Sequence, residues 1–275
     1  MNGALPGPGA GSLNARDTLT DIDPRLAAVT SLAARITYTS TSGINDANYK
    51  VTAAVFAPKG QPPPGGWPMV ALGHRATGIR SGCAPSLSPT LLGESAAVAE
   101  LVKAGYVVSV PDYQGLGPNT TYHPFLDSTT EGYNLIDSMS AIRNLVPDTS
   151  DKWVAFGIGQ GGQAAWAANE LVENHGMGLS LVGAVSASPI ADVEGLADAA
   201  AAGGLTTDQK LTLVSFLLLS RTPTGVTSIS TIIDAALHSK IGTPFWGVPR
   251  SHVTNVRGLR IRSARMTCDP EAPTR

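Results

Sequence analysis

From Met69 to Val185, short β-branched runs alternate with longer stretches of helical periodicity, and this alternation restricts the fold more than any other feature of the chain. Met69-Val-Ala-Leu-Gly73 is a compact apolar run of the kind buried on both faces of a sheet. A helix is predicted from Glu94 to Ala104, followed by the strand Tyr106-Val-Val-Ser-Val110. Leu135, Met139, Ile142 and Val146 form one apolar stripe and predict a second helix, which leads to the strand Trp153-Val-Ala-Phe156. A third helix, Gly162 to Glu173, precedes Leu181-Val-Gly-Ala-Val185. The order is βαβαβαβ, and right-handed crossovers turn it into an α/β fold: a mostly parallel central sheet with helices on both faces. Upstream, Arg35 to Thr41 and Val51 to Ala57 flank the turn-rich segment Gly43 to Asn48 and read as a hairpin, with its antiparallel strands at one sheet edge.

Outside this core the signals weaken. Residues 1–32 are rich in Gly, Pro, Ala and Asp and read as an irregular arm, ahead of a core at 33–192. In 193–249 two apolar helical segments, Thr207 to Leu219 and Ser228 to His238, look like a helical cap or lid insertion. Residues 250–275 carry six arginines without periodicity and read as a solvated tail.

Composition removes several function classes. With 19 basic and 21 acidic residues the net charge is −2, so no global field draws in nucleic acid or an anionic membrane. The longest apolar stretch, Leu211 to Leu219, is well short of the ~20 residues that span a bilayer, so no transmembrane segment is expected. Cys83 and Cys268 are too few for a disulfide scaffold and lack the paired spacing of a zinc site; no metal and no cofactor is expected. The N-terminus shows neither a basic n-region nor an apolar h-region, which keeps a cytoplasmic location open.

The most informative segment is the predicted turn Gly157-Ile158-Gly159-Gln160-Gly161-Gly162, between a strand and a helix. It satisfies G-x-G-x-x-G, the turn that lets a pyrophosphate approach a helix N-terminus, with Gly157, Gly159 and Gly162 as the dinucleotide-binding glycines. Two observations weigh against a dinucleotide: several strands precede this one, and the next strand ends in Ser186-Ala-Ser-Pro189, without an acid for the ribose. The alternative is a nucleophile elbow, G-x-S-x-G, with Gly157 and Gly161 as the flanking small residues and Gly162 allowing close helix packing. Gly159 then stands at the nucleophile position, and the Gln160 N–H faces the place where an oxyanion forms.

With Leu72-Gly-His-Arg-Ala-Thr-Gly78, Cys83-Ala-Pro-Ser86, Val110-Pro-Asp-Tyr-Gln-Gly-Leu-Gly117, Tyr122-His-Pro-Phe125 and Gly159-Gln-Gly-Gly162 in this order, the chain resembles the secretory lipase family of α/β-hydrolases, the lipase A-like and actinobacterial type. The resemblance runs from about Ala33 to Asp192. It implies hydrolysis of carboxylic esters, including triacylglycerols, by a Ser-Asp-His triad beneath a helical cap. It also implies a lipid or small-ester substrate, peripheral lipid contact through the cap, and a secreted or cell-envelope location.

The chain departs from that pattern. Gly159 replaces the family serine, and Arg75 replaces the glycine that usually follows His74 in the oxyanion loop. The Arg75 and Ala76 N–H groups are the expected loop donors. The triad acid and histidine are not identifiable: Asp192, Asp234, His238 and His252 lack strand context, and the C-terminal part of the fold reads as truncated. His74, Asp112 and Tyr113 are candidates for the pocket wall, and a turn-capping role for Asp112 is the simpler expectation. The resemblance pairs Cys83 with a cap-region cysteine, for which Cys268 is the candidate. The expectation is therefore an ester hydrolase by descent whose own activity is low or absent, with a non-catalytic acyl-ligand binder as the alternative.

Overall fold

A computed structural model describes residues 9–117, 121–192, 195, 198–199 and 202–205. The chain divides into two units, Met1–Ala191 with Pro270–Arg275, and Asp192–Asp269. The first unit contains the sheet. In the second, the Asp192 carboxylate accepts the Gly195 N–H at 2.6 Å, a local turn contact. Most of the expected cap (193–249) and all of the expected tail (250–275), with Asp234, His238, His252 and Cys268, lie outside the described residues.

The elements in chain order are β1 (Leu13–Thr18), α1 (Pro24–Val29), β2 (Thr30–Thr41), β3 (Asn48–Pro58), β4 (Trp67–Gly73), α2 (Ser95–Lys103), β5 (Val107–Pro111), α3 (Ser128–Leu145), β6 (Thr149–Ile158), α4 (Gln160–His175) and β7 (Ser180–Ala187). Together the strands form a seven-stranded sheet in the order β1-β2-β3-β5-β4-β6-β7. Antiparallel pairing joins β1, β2, β3 and β5, whereas β5, β4, β6 and β7 run parallel. This is the expected α/β-hydrolase arrangement, a mostly parallel sheet entered through an antiparallel hairpin.

The hairpin is longer than expected, pairing Thr30 with Pro58 and Thr41 with Asn48. The supposed irregular arm also carries two elements. Leu13–Thr18 pairs with β2 as an edge strand whose side chains are mostly exposed, so neither alternation nor hydrophobicity marks it. Pro24 opens α1 behind Asp23, whose carboxylate accepts the Arg25 N–H at 2.9 Å and the Ser95 hydroxyl at 2.9 Å. These bonds and the Arg25 guanidinium hold the Asp23 carboxyl well below its ordinary range and tie α1 to α2.

On one face, α1 and α2 cover an apolar cluster that includes Leu26, Phe56, Val70, Leu72, Val98 and Val110. On the other face lie α3 and α4, packed against each other and against the central strands. The α3 stripe buries Leu135, Met139 and Ile142 and continues to Leu145; Val146 ends the helix. Asp127 caps α3 from the Thr130 N–H at 2.8 Å, so the helix begins a full two turns before the apolar stripe. No described helix is long and apolar enough to cross a membrane.

Candidate active site

Strand β6 ends at Ile158, and α4 begins at Gln160, leaving Gly159 alone to reverse the chain. Its φ of 62° and ψ of −119° lie where a side chain is strained. The Gly159 N–H donates to the Ala187 carbonyl at 3.0 Å, and its own carbonyl accepts the Gln163 N–H at 3.0 Å. The turn is therefore anchored to the end of β7 on one side and to the first helical bond of α4 on the other.

The surrounding glycines are there because the backbones touch. A Cβ on Gly157 would collide with the Gly161 carbonyl, and one on Gly161 with the Gly73 carbonyl. A Cβ on Gly73 or Gly162 would come within 2.8 Å of the Gly161 or Ala187 carbonyl oxygen, respectively. Gly159 differs: among the described residues, a Cβ there meets nothing within 4 Å. Packing requires the neighbours to be glycine, whereas at position 159 only backbone conformation favours it.

The same contact between Gly73 and Gly161 places the loop after β4 beside the first turn of α4. There, two buried donors fix the loop's peptide planes. The Tyr113 hydroxyl donates to the His74 carbonyl at 3.1 Å, and His74 Nδ1 donates to the Arg75 carbonyl at 2.6 Å. In a trans peptide the carbonyl and the following N–H point in opposite directions. Pinning these two carbonyls inward turns the Arg75 and Ala76 N–H groups away from the buried side. The third donor, Gln160 N–H, is the first of α4 and has no acceptor within its own helix. The Arg75 guanidinium reaches away to Glu94, with Nε 3.1 Å from its carboxylate.

Beneath these donors lies a buried polar layer. The Gln160 side-chain amide donates to Glu131 Oε1 at 2.7 Å and to His123 Nε2 at 3.0 Å. His123 Nδ1 donates to the Gln114 carbonyl at 2.9 Å, which fixes the neutral tautomer with Nε2 as acceptor. The His74 and Tyr113 ring centroids lie 4.3 Å apart, and the Tyr113 and His123 rings stack with centroids 6.1 Å apart. Burial lowers the pKa of both histidines to about 4 and pushes the Glu131 carboxyl up to about 8, against the pull of Gln160. All three groups are uncharged at neutral pH.

The other sequence candidates are placed as follows. His74, Asp112 and Tyr113 are fully buried, and of the three His74 and Tyr113 hydrogen-bond the carbonyls of the loop after β4. Asp112 accepts the Ser86 N–H at 2.8 Å and the hydroxyls of Ser86 and Thr52, joining β5 to β3 and to the segment before α2. Burial raises its pKa, opposed by those hydrogen bonds. Cys83 is buried and disulfide-bonded. Among the described residues no cluster of His, Cys, Asp and Glu is arranged to hold a metal ion. Sequence reading gave no role to His123 or Glu131. His123 stood in a motif noted only for resemblance; Glu131 shares the buried side of α3 with Asn134 and Ser138, a polar companion to the apolar stripe.

Comparison with known proteins agrees with this geometry. Residues 87–213 match the family model for secretory lipase. Candida antarctica lipase A superposes with a TM-score of 0.60 at 20% identity, over 86% of this chain and 58% of that one. The rice cell wall degrading esterase LipA from Xanthomonas oryzae gives a TM-score of 0.56 at 26% identity, over 70% of this chain and 54% of its own. A putative hydrolase from Legionella pneumophila gives 0.52 at 20% identity, over 64% and 52%. The chain thus spans little more than half the length of these solved structures. No curated protein matches by sequence. The family match lies across the elbow, over slightly less than half of the chain, and the described core has the α/β-hydrolase fold of these solved structures.

Proposed function

We propose that this chain is an ester hydrolase by family whose acyl site persists while its hydrolytic step is lost. One observation carries the reading: an intact elbow, with glycine forced at positions 157, 161 and 73, has glycine also at position 159, where a Cβ would meet no described residue within 4 Å. Without a hydroxyl or thiol there, no acyl-enzyme forms. The remaining donors still polarise an ester carbonyl, but removing a hydrolase serine costs about six orders of magnitude in kcat. A lipid or small-ester ligand, a secreted location and lipid contact through the cap belong to the same reading, drawn from the family. Of the glycines that fit a dinucleotide turn, Gly157 and Gly162 are explained by the Gly161 and Ala187 carbonyls against which they pack, and Gly159 by its backbone conformation.

The test is hydrolysis of p-nitrophenyl butyrate together with labelling by a fluorophosphonate. The expected result is turnover no more than ~10³–10⁴-fold above the uncatalysed reaction, the residual of an oxyanion site without a nucleophile, and no label. Turnover at the rate of an ordinary lipase, with contaminants excluded, overturns the proposal.

A further inference from the structure

Beneath the elbow, residues from four segments of the chain close a ring of contacts. The Gln114 N–H donates to Asn134 Oδ1 at 2.7 Å, and the Gln114 carbonyl accepts His123 Nδ1 at 2.9 Å. His123 Nε2 accepts from the Gln160 side-chain amide, which also donates to Glu131 Oε1. Glu131 and Asn134 stand three residues apart on the buried side of α3, as neighbours one turn along the helix, and complete the ring. Every member is 1% exposed or less, so bulk water does not reach it.

These contacts leave polar atoms over. Glu131 Oε2, Gln160 Oε1 and both ends of the Gln114 side-chain amide are buried with no hydrogen-bond partner among the described residues. The geometry points to an enclosed hydration site in this ring, where roughly one or two water molecules, exchanging slowly, bridge Gln114, Glu131 and Gln160. The site goes beyond the acyl-site reading and stands whether or not the elbow binds an ester.

Three features support it. First, the unpartnered atoms all belong to ring members. The Glu131 carboxyl and the Gln160 amide face each other through one bond of the two that such a pair can form. Both amide hydrogens of Gln160 are used, one on Glu131 and one on His123, and this orientation leaves Oε1 of Gln160 and Oε2 of Glu131 open.

Second, the segment bearing Gln114 has no slack with which to close the gap. Its N–H and carbonyl are both held, and Tyr113 before it sits at a φ of 60°. Gly115 after it lies so close to the Tyr122–His123 peptide that a Cβ there would collide with it.

Third, the chemistry of the open atoms selects water. The Gln160 and Gln114 oxygens accept, the Gln114 amide nitrogen donates, and Glu131, kept uncharged by burial at neutral pH, has a hydroxyl to donate. A cation is met by oxygens alone and is repelled by the amide N–H groups, and an apolar guest leaves every open atom unmet. Water both donates and accepts, and a buried water makes about three hydrogen bonds.

The experiment has two arms: high-resolution crystallography of the full wild-type chain, and magnetic relaxation dispersion of water, which counts long-lived internal molecules, on wild type and Gln114→Leu. The crystal is expected to show a density peak about 2.7–3.2 Å from at least two of the open atoms. Gln114→Leu, checked for folding by a thermal melt, is expected to lose about one long-lived water or more, whereas Glu131→Gln keeps the wild-type count. Direct contact among Gln114, Glu131 and Gln160 with no peak between them overturns the inference, as does a peak coordinated by oxygens alone at metal–ligand distances. An equal count in wild type and folded Gln114→Leu overturns it as well. If that variant does not fold, the wild-type density decides.

Discussion

The two faces of the sheet solve different problems. Under α1 and α2, Leu26, Phe56, Leu72 and Val110 form one apolar cluster, edged by the buried, hydrogen-bonded pair Asp23 and Ser95. Under α3 and α4 the helices also bury Glu131, Asn134, Asp137 and Gln160, and the layer continues through His123 and Tyr113. Apolar contacts are tolerant of small displacements, but hydrogen-bonded groups hold a neighbour at a fixed distance and angle. The first face secures the fold. The second orients the donors at the elbow, at a cost: Glu131 Oε2 and Gln160 Oε1 are buried without a hydrogen-bond partner among the described residues.

If that division is right, the largest loss of stability comes from the apolar face. Phe56→Ala is expected to cost about 3–5 kcal/mol in urea denaturation, by about the same amount at pH 6 and pH 8. A loss below about 1 kcal/mol would place the stabilising core elsewhere.

The polar face is expected to show itself through pH. The folded Glu131 value of about 8 stands above its ordinary 4.5, so between them the unfolded chain releases a proton that the folded chain keeps, and stability falls as pH rises. His74 and His123 act in the opposite sense: their values of about 4 lie below the ordinary 6.5, so on acidification the unfolded chain takes up protons that the folded chain refuses. Together these groups place maximal stability near pH 6.5, with a net loss on the order of 1 kcal/mol from there to pH 8. Glu131→Gln keeps an acceptor for Gln160 and is expected to flatten the alkaline limb in denaturant titrations. A limb of unchanged slope in that variant would remove Glu131 from the account.

The smallest effect belongs to the elbow. Gly159→Ser is expected to lower stability by about 1 kcal/mol, the strain of a side chain at φ of 62° that meets no described residue within 4 Å of its Cβ. It is also expected to remain unlabelled by a fluorophosphonate. Among the described histidines, His74 and His123 are buried beneath the loop, and His175 is bonded to Asp137 from the last turn of α4. A labelled variant would mean that a base reaches position 159 after all.

The parallel strands and their helices were legible because Met69–Gly73, Val107–Val110 and the Leu135–Ile142 stripe each carry a period that only one element satisfies. β1 was not, since Asn14, Arg16 and Asp17 are held by pairing with β2 and carry no pattern of their own. The elbow was legible from glycine spacing, because close backbone contact leaves a mark in the sequence. Glu131 and His123 were not: their significance depends on meeting Gln160 across 29 and 37 residues, a contact no local period encodes. Asp112 read equally as pocket wall or turn cap, and only its burial against Thr52 and Ser86 assigns it to support.

The central claim, that the acyl site outlives its chemistry, is tested most directly by mass spectrometry of the intact wild-type chain after exposure to an excess of fluorophosphonate. The account predicts an unchanged mass under conditions that label an active serine lipase completely. A stoichiometric adduct on any side chain at the elbow, accompanied by loss of ester turnover, would contradict it.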